Sequence, residues 1–530
     1  MDRRSLLRSG AALVAGASAP LLASPALGQD MRAATLRFVP QANLTSLDPV
    51  WTTATVTSNH GYYVFDTLYA VDAANRPRPQ MAEGHEVLDD GRRWRFRLRD
   101  GLRFHDGEPV RAADCIASIK RWCVRDPFGQ LLARAVAEWR AVDDRSFEAR
   151  LNRPFPLMLD ALAKPDASVC FIMPERLANT EATRAITEMI GSGPYRFVAG
   201  EYNSGSRVVY EKFDGYVPRQ EPPERASGGK IARMRRIEWS VIPDASTAAA
   251  ALTNGEIDWW ERPLSDLRPV LTRNREIRQE ILDVEGRLAL MRLNCLQPPF
   301  DDVRLRRAVR LSVIQDSYMR AAQGDDTSLW SETRSLYPRR TPYYRDNPDL
   351  MPGSLDAARA ALKEAGYSNG KLVIINPTDF PDIGPLGQVT NDALRRIGMN
   401  VQLDESDWGT VIQRRNSREP VERGGWSIFH TTGSSNTYGS PAMSPLIRGQ
   451  GEAGWFGWWK SDRAEALTAE WMDAPDDAAR ARTAEALGRL ALDEVATIPL
   501  GQFTIRTAFR RNLTDFLEGS TPYPWNIRRV

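Results

Sequence analysis

Between Lys371 and Thr432 the chain switches repeatedly between two hydrophobic rhythms, and this alternation constrains its fold more than any other feature. KLVIINP reads as a strand, GPLGQVTNDALRRIGM as a helix, NVQLDES as a strand, WGTVIQRR as a helix and WSIFHTT as a strand. Strands joined through a helix lie parallel in one sheet, because no tight hairpin links them. The pattern therefore predicts an α/β lobe with crossover helices. Upstream, from Thr35 to about Pro243, short strands dominate at TLRFVP, RWRFRLR, RSFEARL, GPYRF, SRVVYEKF and RRIEWSVIP, several alternating polar with apolar as half-buried sheet does. A length of 530 residues exceeds the ~250–300 that one core sustains, so more than one domain is expected.

The rhythm places boundaries. Residues 29–75 open a first lobe, 76–190 read as an α+β insertion within it, and 191–287 complete it. Residues 288–497 form a second lobe. Near its end the helical DAARARTAEALGRLALDEV leads into the apolar strand TIPLGQF, and 498–530 are expected to return to the first lobe.

The first 28 residues have a separate job. MDRRSLLRSG precedes an apolar stretch from Ala11 to Leu22 and a small-residue region, the order of a cleavable export signal. Adjacent Arg3 and Arg4, followed by Ser5, Leu6 and Leu7, resemble a twin-arginine signal, with Asp2 in place of the usual Ser or Thr. The stretch is short of the ~20 apolar residues that span a bilayer. Its removal takes away Arg3, Arg4, Arg8 and Asp2, turning a net charge of +2 into zero. No basic run with interleaved aromatics survives, so nucleic acid is not an expected partner. Cys115, Cys123, Cys170 and Cys295 are too few for a disulfide scaffold. Cys115 and Cys123 lie eight residues apart on a predicted helix, ~12 Å between Cα atoms, beyond bridging reach. Cys123 with Cys170 stays open, with buried thiols favoured.

Catalytic signatures are absent. The four histidines, His60, His85, His105 and His430, have no metal-ligand spacing, and no nucleophile elbow, zinc-protease or phosphate-loop motif occurs. A G-x-G-x-x-G string at Gly449, Gly451 and Gly454 is followed by WFGWWK, a poor opening for the helix that a dinucleotide needs, and reads as a loop. No cofactor, metal site or catalytic residue is predicted.

The run from Tyr63 to Trp122, with RWRFRLRDGLRFHDGEPV at its centre, resembles the signature of the family-5 extracellular solute-binding proteins, the peptide- and nickel-type receptors of ABC importers. SLDP (46–49), GSGPYRF (191–197), NGEIDW (254–259), PPFDDVRLRRAV (298–309), DAARAALKEAGY (356–367) and IPLGQF (498–503) fall in that family's order. The resemblance implies a two-lobed periplasmic binding protein fold (α/β, type II, cluster C-like) with an extra α+β subdomain inserted in the first lobe. It implies a small-molecule solute enclosed between the lobes, delivery to an ABC transporter permease in the inner membrane, a periplasmic location and a monomer. These motifs also have plain structural readings: FHDG suits a tight turn, and Asp301 and Asp302 suit the positive end of a helix. An exported hydrolase and a sensing paralogue of the receptor remain alternatives; turnover of a peptide, ester or glycoside would mark the first, and absence of permease and ATPase genes beside this one the second.

Ligand contacts are sought where strands end, since open α/β sheets bind beyond their carboxyl edges. Four such ends supply Gln41, Asn43 and Thr45; Trp259, Trp260 and Glu261; Trp408, matching a pocket tryptophan of peptide-binding relatives; and the loop His430–Pro441 with Thr431, Thr432, Ser434, Ser435 and Asn436. Asn43, Thr45, Trp260, Trp408, His430, Thr431, Thr432 and Ser434 are the candidate ligand-binding residues. Peptide-binding relatives place an Asp after the strand of the fourth loop, for the peptide's amino terminus, whereas His430–Pro441 carries no acid. Their arginine for the carboxylate has no clear match in NPTDFPDIGP. Leaving both charges of a dipeptide unpaired would cost several kcal/mol, so ordinary dipeptides are poor candidates and a neutral or hydroxylated solute is expected.

Overall fold

The computed structural model describes residues 32–495 and 497–530; the export signal expected at 1–28 lies outside the described residues. Two large sheets organise the chain. The first has seven strands in the spatial order Tyr195–Phe197, Arg207–Lys212, Arg236–Ser240, Thr35–Val39, Trp259–Trp260, Arg506–Arg510 and Ile277–Ile281. Its centre is parallel, with Leu36 opposite Ile237 and Phe38 opposite Trp259, and its flanks are antiparallel. The alternating positions of Thr35–Val39 and Arg236–Ser240 send Phe38 and Trp239 into one aromatic core, where Phe38 meets the Trp259 ring edge-on at 4.8 Å. Edge-to-face pairing of this kind adds ~0.5–1.5 kcal/mol beyond area burial.

The second sheet has six strands: Trp330–Ser331, Thr497–Phe503, Arg287–Leu293, Ile428–Ser434, Leu372–Pro377 and Val401–Ser406. Leu372–Pro377 runs parallel to both Val401–Ser406 and Ile428–Ser434, and the helices Gly384–Arg396 and Trp408–Arg414 make the crossovers that the alternation requires. Arg287–Leu293 and Thr497–Phe503 join this sheet antiparallel. This differs from the expected return at residue 498. All seven residues of Thr497–Phe503 are buried, as suits an interior strand, and the chain reaches the first sheet only with Arg506–Arg510. Thr431 also fits an interior strand, being buried beside Leu290 of the neighbouring strand.

A separate four-stranded antiparallel sheet orders Ala82–Leu88, Arg93–Leu98, Ser146–Leu151 and Val136–Ala141. The helix Ala112–Arg125 lies on it, burying Cys115, Ile119, Trp122 and Cys123 along one stripe. The Asp114 carboxylate accepts the Arg111 N–H at 2.7 Å at this helix's start. The FHDG turn meets GSGPY, the His105 N–H donating to the Gly191 carbonyl at 2.8 Å. Asp302 caps the helix Val303–Leu311, accepting the Arg304 N–H at 2.8 Å. All four cysteines are thiols, Cys115, Cys123 and Cys170 buried. Among the described residues no helix is long and apolar enough to cross a membrane.

Candidate functional site

The chain passes between the two sheets twice, through residues 282–286 and through Thr504–Ile505. Gly286 has φ +72°, and a Cβ there would stand 2.6 Å from the Phe503 carbonyl oxygen, so only glycine lets the two passages run side by side. Beside them lies a cavity of about 250 Å³, far larger than the ~10–15 Å³ that one water occupies. One wall comes from the first sheet's side: Gln41, the segment Val50–Asn59 and Thr521. The other comes from the second sheet's carboxyl edge: Phe380, Trp408, Thr431 to Ser434 and Tyr438, with Arg287, Arg415 and the aromatic run Trp455–Trp458. Gln450 donates to the Gln130 side-chain oxygen at 2.6 Å and Arg448 to the Pro127 carbonyl at 3.3 Å, joining the walls.

Four of the eight candidate residues line this cavity: Trp408, Thr431, Thr432 and Ser434. Trp408 opens its helix, its N–H bound by the Asp379 carboxylate at 2.7 Å and its ring edge-on to Phe380 at 5.1 Å. The Thr432 hydroxyl is buried with no protein partner. The other four are placed elsewhere. His430 is absent from the lining and turns into the core, where Nε2 meets the Thr390 hydroxyl at 2.7 Å and that hydroxyl meets Tyr318 at 3.1 Å. Burial pushes its imidazole down to about 3, so it is a neutral core group. Trp260 packs with Val39, Leu252 and Leu271, because strand alternation sends it away from the cleft. Asn43 turns to the Gly205 N–H at 2.9 Å, and Thr45 is exposed with its methyl against Gly409. The Gly449–Gly454 string forms a 3₁₀ turn at the cavity's edge, not a strand-to-helix phosphate turn.

Sequence reasoning missed the strongest charges in the cavity. Arg287 and Arg415 are 3% and 2% exposed. Each makes only long bonds: Arg287 to the Thr55 hydroxyl at 3.3 Å and the Thr432 carbonyl at 3.4 Å, Arg415 to the Thr53 hydroxyl at 3.4 Å. The Nε of each has no partner, and among the described residues neither forms an ion pair. Burial pushes both guanidiniums down to about 10, which leaves them charged near neutral pH. Arg415 lies over the Phe456 ring at 4.4 Å. Tyr438 feels both arginines, yet burial dominates and pushes its phenol up to about 12, so it keeps its proton. Its hydroxyl lies against Gly433, where a Cβ would come within 2.0 Å of it. The available signal was an arginine opening RLALMRL, a run that is apolar but for it and Arg292. The other lining charges are differently held: Lys164 pairs with Asp126, Arg418 with Glu452 at 3.1 Å, and Asp166 accepts the Ser520 hydroxyl while its second oxygen is buried and unpartnered.

Comparison with known proteins agrees with this geometry. The profile of the bacterial extracellular solute-binding proteins, family 5, matches residues 76–454. The chain is 36% identical over 541 residues to a probable peptide ABC transporter periplasmic-binding protein, y4tO, of Sinorhizobium fredii, with all of both chains covered. Two solved structures share the fold. One is AgaA of A. tumefaciens R10 in complex with agropinic acid, with TM-score 0.77 and 20% identity, over 94% of this chain and 99% of that one. The other is a dipeptide-binding protein of Pseudoalteromonas sp. SM9913 in complex with Met-Leu, with TM-score 0.75 and 19% identity, over 94% of this chain and all of the other. Two sheets tied by paired passages, a cavity between them and a profile covering most of the chain lead to one conclusion: this chain belongs to family 5 of the bacterial extracellular solute-binding proteins.

Proposed function

We propose that the protein is the periplasmic receptor of an ABC importer, capturing a small solute between its lobes and delivering it to the permease without chemical turnover. The cavity beside the two passages carries this reading, because side-by-side crossings form a hinge about which two lobes close on a solute. The first lobe comprises residues 32–281 with 506–530, the second 287–503, and the four-stranded sheet over 82–151 is the core of an inserted α+β subdomain. The solute contacts Trp408, Thr431, Thr432 and Ser434. Identifying, by mass spectrometry, the small molecule released from natively purified protein names the solute. Small-angle scattering of the stripped protein then tests closure: the radius of gyration falls when that solute is restored, and an unchanged radius at saturation would refute the hinge.

Relatives with this fold bind different ligands, a Met-Leu dipeptide in one and agropinic acid in another, so the fold does not choose the solute. The loop after Ile428–Ser434 has no acid to meet an ammonium, and free-amine dipeptides are expected not to bind. Calorimetry against a dipeptide panel checks this. Micromolar binding of several would assign the amine's counter-charge to Asp166, the lining carboxylate whose second oxygen lacks a partner.

A further inference from the structure

The protein solvates its buried arginines in two different ways. Arg292, on the same strand as Arg287, is 1% exposed and spends its donors on the Phe456 carbonyl at 2.6 Å, the Thr497 hydroxyl at 2.5 Å and the Leu446 carbonyl at 3.4 Å. That is a structural arginine, whose charge is spread over fixed dipoles. Arg306 and Arg310 likewise bind the Glu494 and Leu492 carbonyls at the end of the helix Asp477–Glu494, at 2.9 and 2.6 Å. Arg287 and Arg415 have no such environment. Their hydrogen bonds lie at the long limit, their Nε atoms are unbound, and no carboxylate stands within 4.0 Å of either among the described residues. The acids that act on Arg287, Asp283, Asp382 and Glu261, do so from beyond that distance; Asp382 is engaged by Arg262 at 2.9 Å and Glu261 by the Gln41 N–H at 2.7 Å. Arg415 has no acid acting on it, only the Tyr438 phenol.

Buried guanidiniums left this way raise the free energy of the empty protein, since a charge out of water needs a counter-ion or full hydrogen bonding. Both line one cavity. Thr53 and Thr55, which receive their long bonds, are two residues apart on the first lobe, and the charges of both arginines act on the Tyr438 phenol. A guanidinium's planar fork matches a carboxylate or phosphate in a bidentate grip, and two forks facing one region make an oxyanion receptor. The threonine hydroxyls across the gap are donors to such an anion as readily as they are weak acceptors now.

We infer that the solute carries an oxyanionic group, held between Arg287 and Arg415 of the second lobe with the Tyr438, Thr53 and Thr55 hydroxyls as further donors, so that the anion itself bridges the two lobes. This rests on the receptor reading above and narrows it: the solute is an organic oxyanion, not the neutral molecule that the hydroxyl-rich loop alone suggested. Trp408 and Phe380 supply a surface for its carbon body.

The test uses the full mature chain, stripped of bound solute, in thermal unfolding at matched ionic strength. Millimolar sodium phosphate, succinate and acetate are each compared with sodium chloride. The wild type is expected to gain roughly 2–4 °C in at least one oxyanion, and R287M/R415M to lose that gain. The same variant in chloride should unfold no lower than the wild type, because two unpaired charges are gone; a purely structural pair would instead unfold earlier. R415K, which keeps the charge, retains part of the gain and stands in if the double variant does not fold. A larger gain in phosphate than in the carboxylates assigns a phosphate-type group, and the reverse assigns a carboxylate. Equal responses of wild type and variant, or no response of the wild type to any of the three salts, would overturn the inference. Failure of the receptor reading shows separately, as a missing contraction in scattering, and leaves the salt response intact.

Discussion

The two lobes differ in the buried charge they leave open. In the first, the three most deeply buried cations each have a carboxylate: Arg121 grips Asp48 through two bonds of 2.7 and 3.1 Å, Lys230 meets Asp66 at 2.7 Å, and Lys164 meets Asp126. In the second, Arg448 grips Glu465 at 2.8 and 2.9 Å and Arg292 is held by carbonyls, whereas Arg287 and Arg415, at the cavity, are held by almost nothing. The first arrangement is complete in the free chain, so it stabilises one structure. The second is incomplete, so it favours whatever arrives to complete it. Burial alone therefore does not separate a structural charge from a binding charge; the partner count does.

The largest effect should come from breaking a complete pair. Asp48 also accepts the Val50 and Ile186 N–H groups, both at 2.9 Å, and the Trp51 N–H at 3.4 Å, so D48A strands Arg121 and three backbone donors. A loss of ~3–5 kcal/mol is expected in denaturant unfolding, against no loss for R415M. A loss for R415M as large as that of D48A would erase the contrast between the lobes. Acid should then strike both lobes alike. His60 in the first and His430 in the second are each held down to about 3 by burial, whereas an unfolded imidazole takes up its proton near 6.5. Both groups thus contribute stability that is present above pH 6.5 and lost as pH falls from there toward 3, by about 1.4 kcal/mol per pH unit for each. Stability measured from pH 7 to 5 checks this, and H430Q should flatten the slope. Next, W408A should weaken solute binding by ~1–3 kcal/mol through lost stacking and burial, read by calorimetry. The smallest effect belongs to T432A, ~0.5–1.5 kcal/mol in affinity with unfolding unchanged, since the hydroxyl has no partner to lose in the free chain.

Most of the fold was legible. The β/α alternation from Lys371 to Thr432 gave three parallel strands and both crossover helices, because periodicity records which face is buried. The ownership of Thr497–Phe503 was not legible, because an apolar strand fits the interior of either sheet and only pairing with Arg287–Leu293 decides. Strand ends picked out four residues of the cavity lining, Trp408, Thr431, Thr432 and Ser434, but which way His430 or Trp260 turns depends on a register that composition does not carry. The arginines were missed for a related reason. Arg415 is the second arginine of QRR at a helix end, where basic residues are ordinarily solvated, and its burial follows from Phe456, some forty residues later in sequence.

Under the proposed closure, the paired passages at Gly286 and Phe503 are the fulcrum of a lever. Gln130 of the first lobe and Gln450 of the second both line the cavity and meet by one hydrogen bond, so rotation of one lobe on the other parts them. An environment-sensitive dye on a cysteine introduced at Gln450 would turn occupancy into fluorescence. Its partner across the mouth is a single amide side chain, which the label can replace without disturbing the fulcrum, and three of the four native thiols are buried from the labelling reagent.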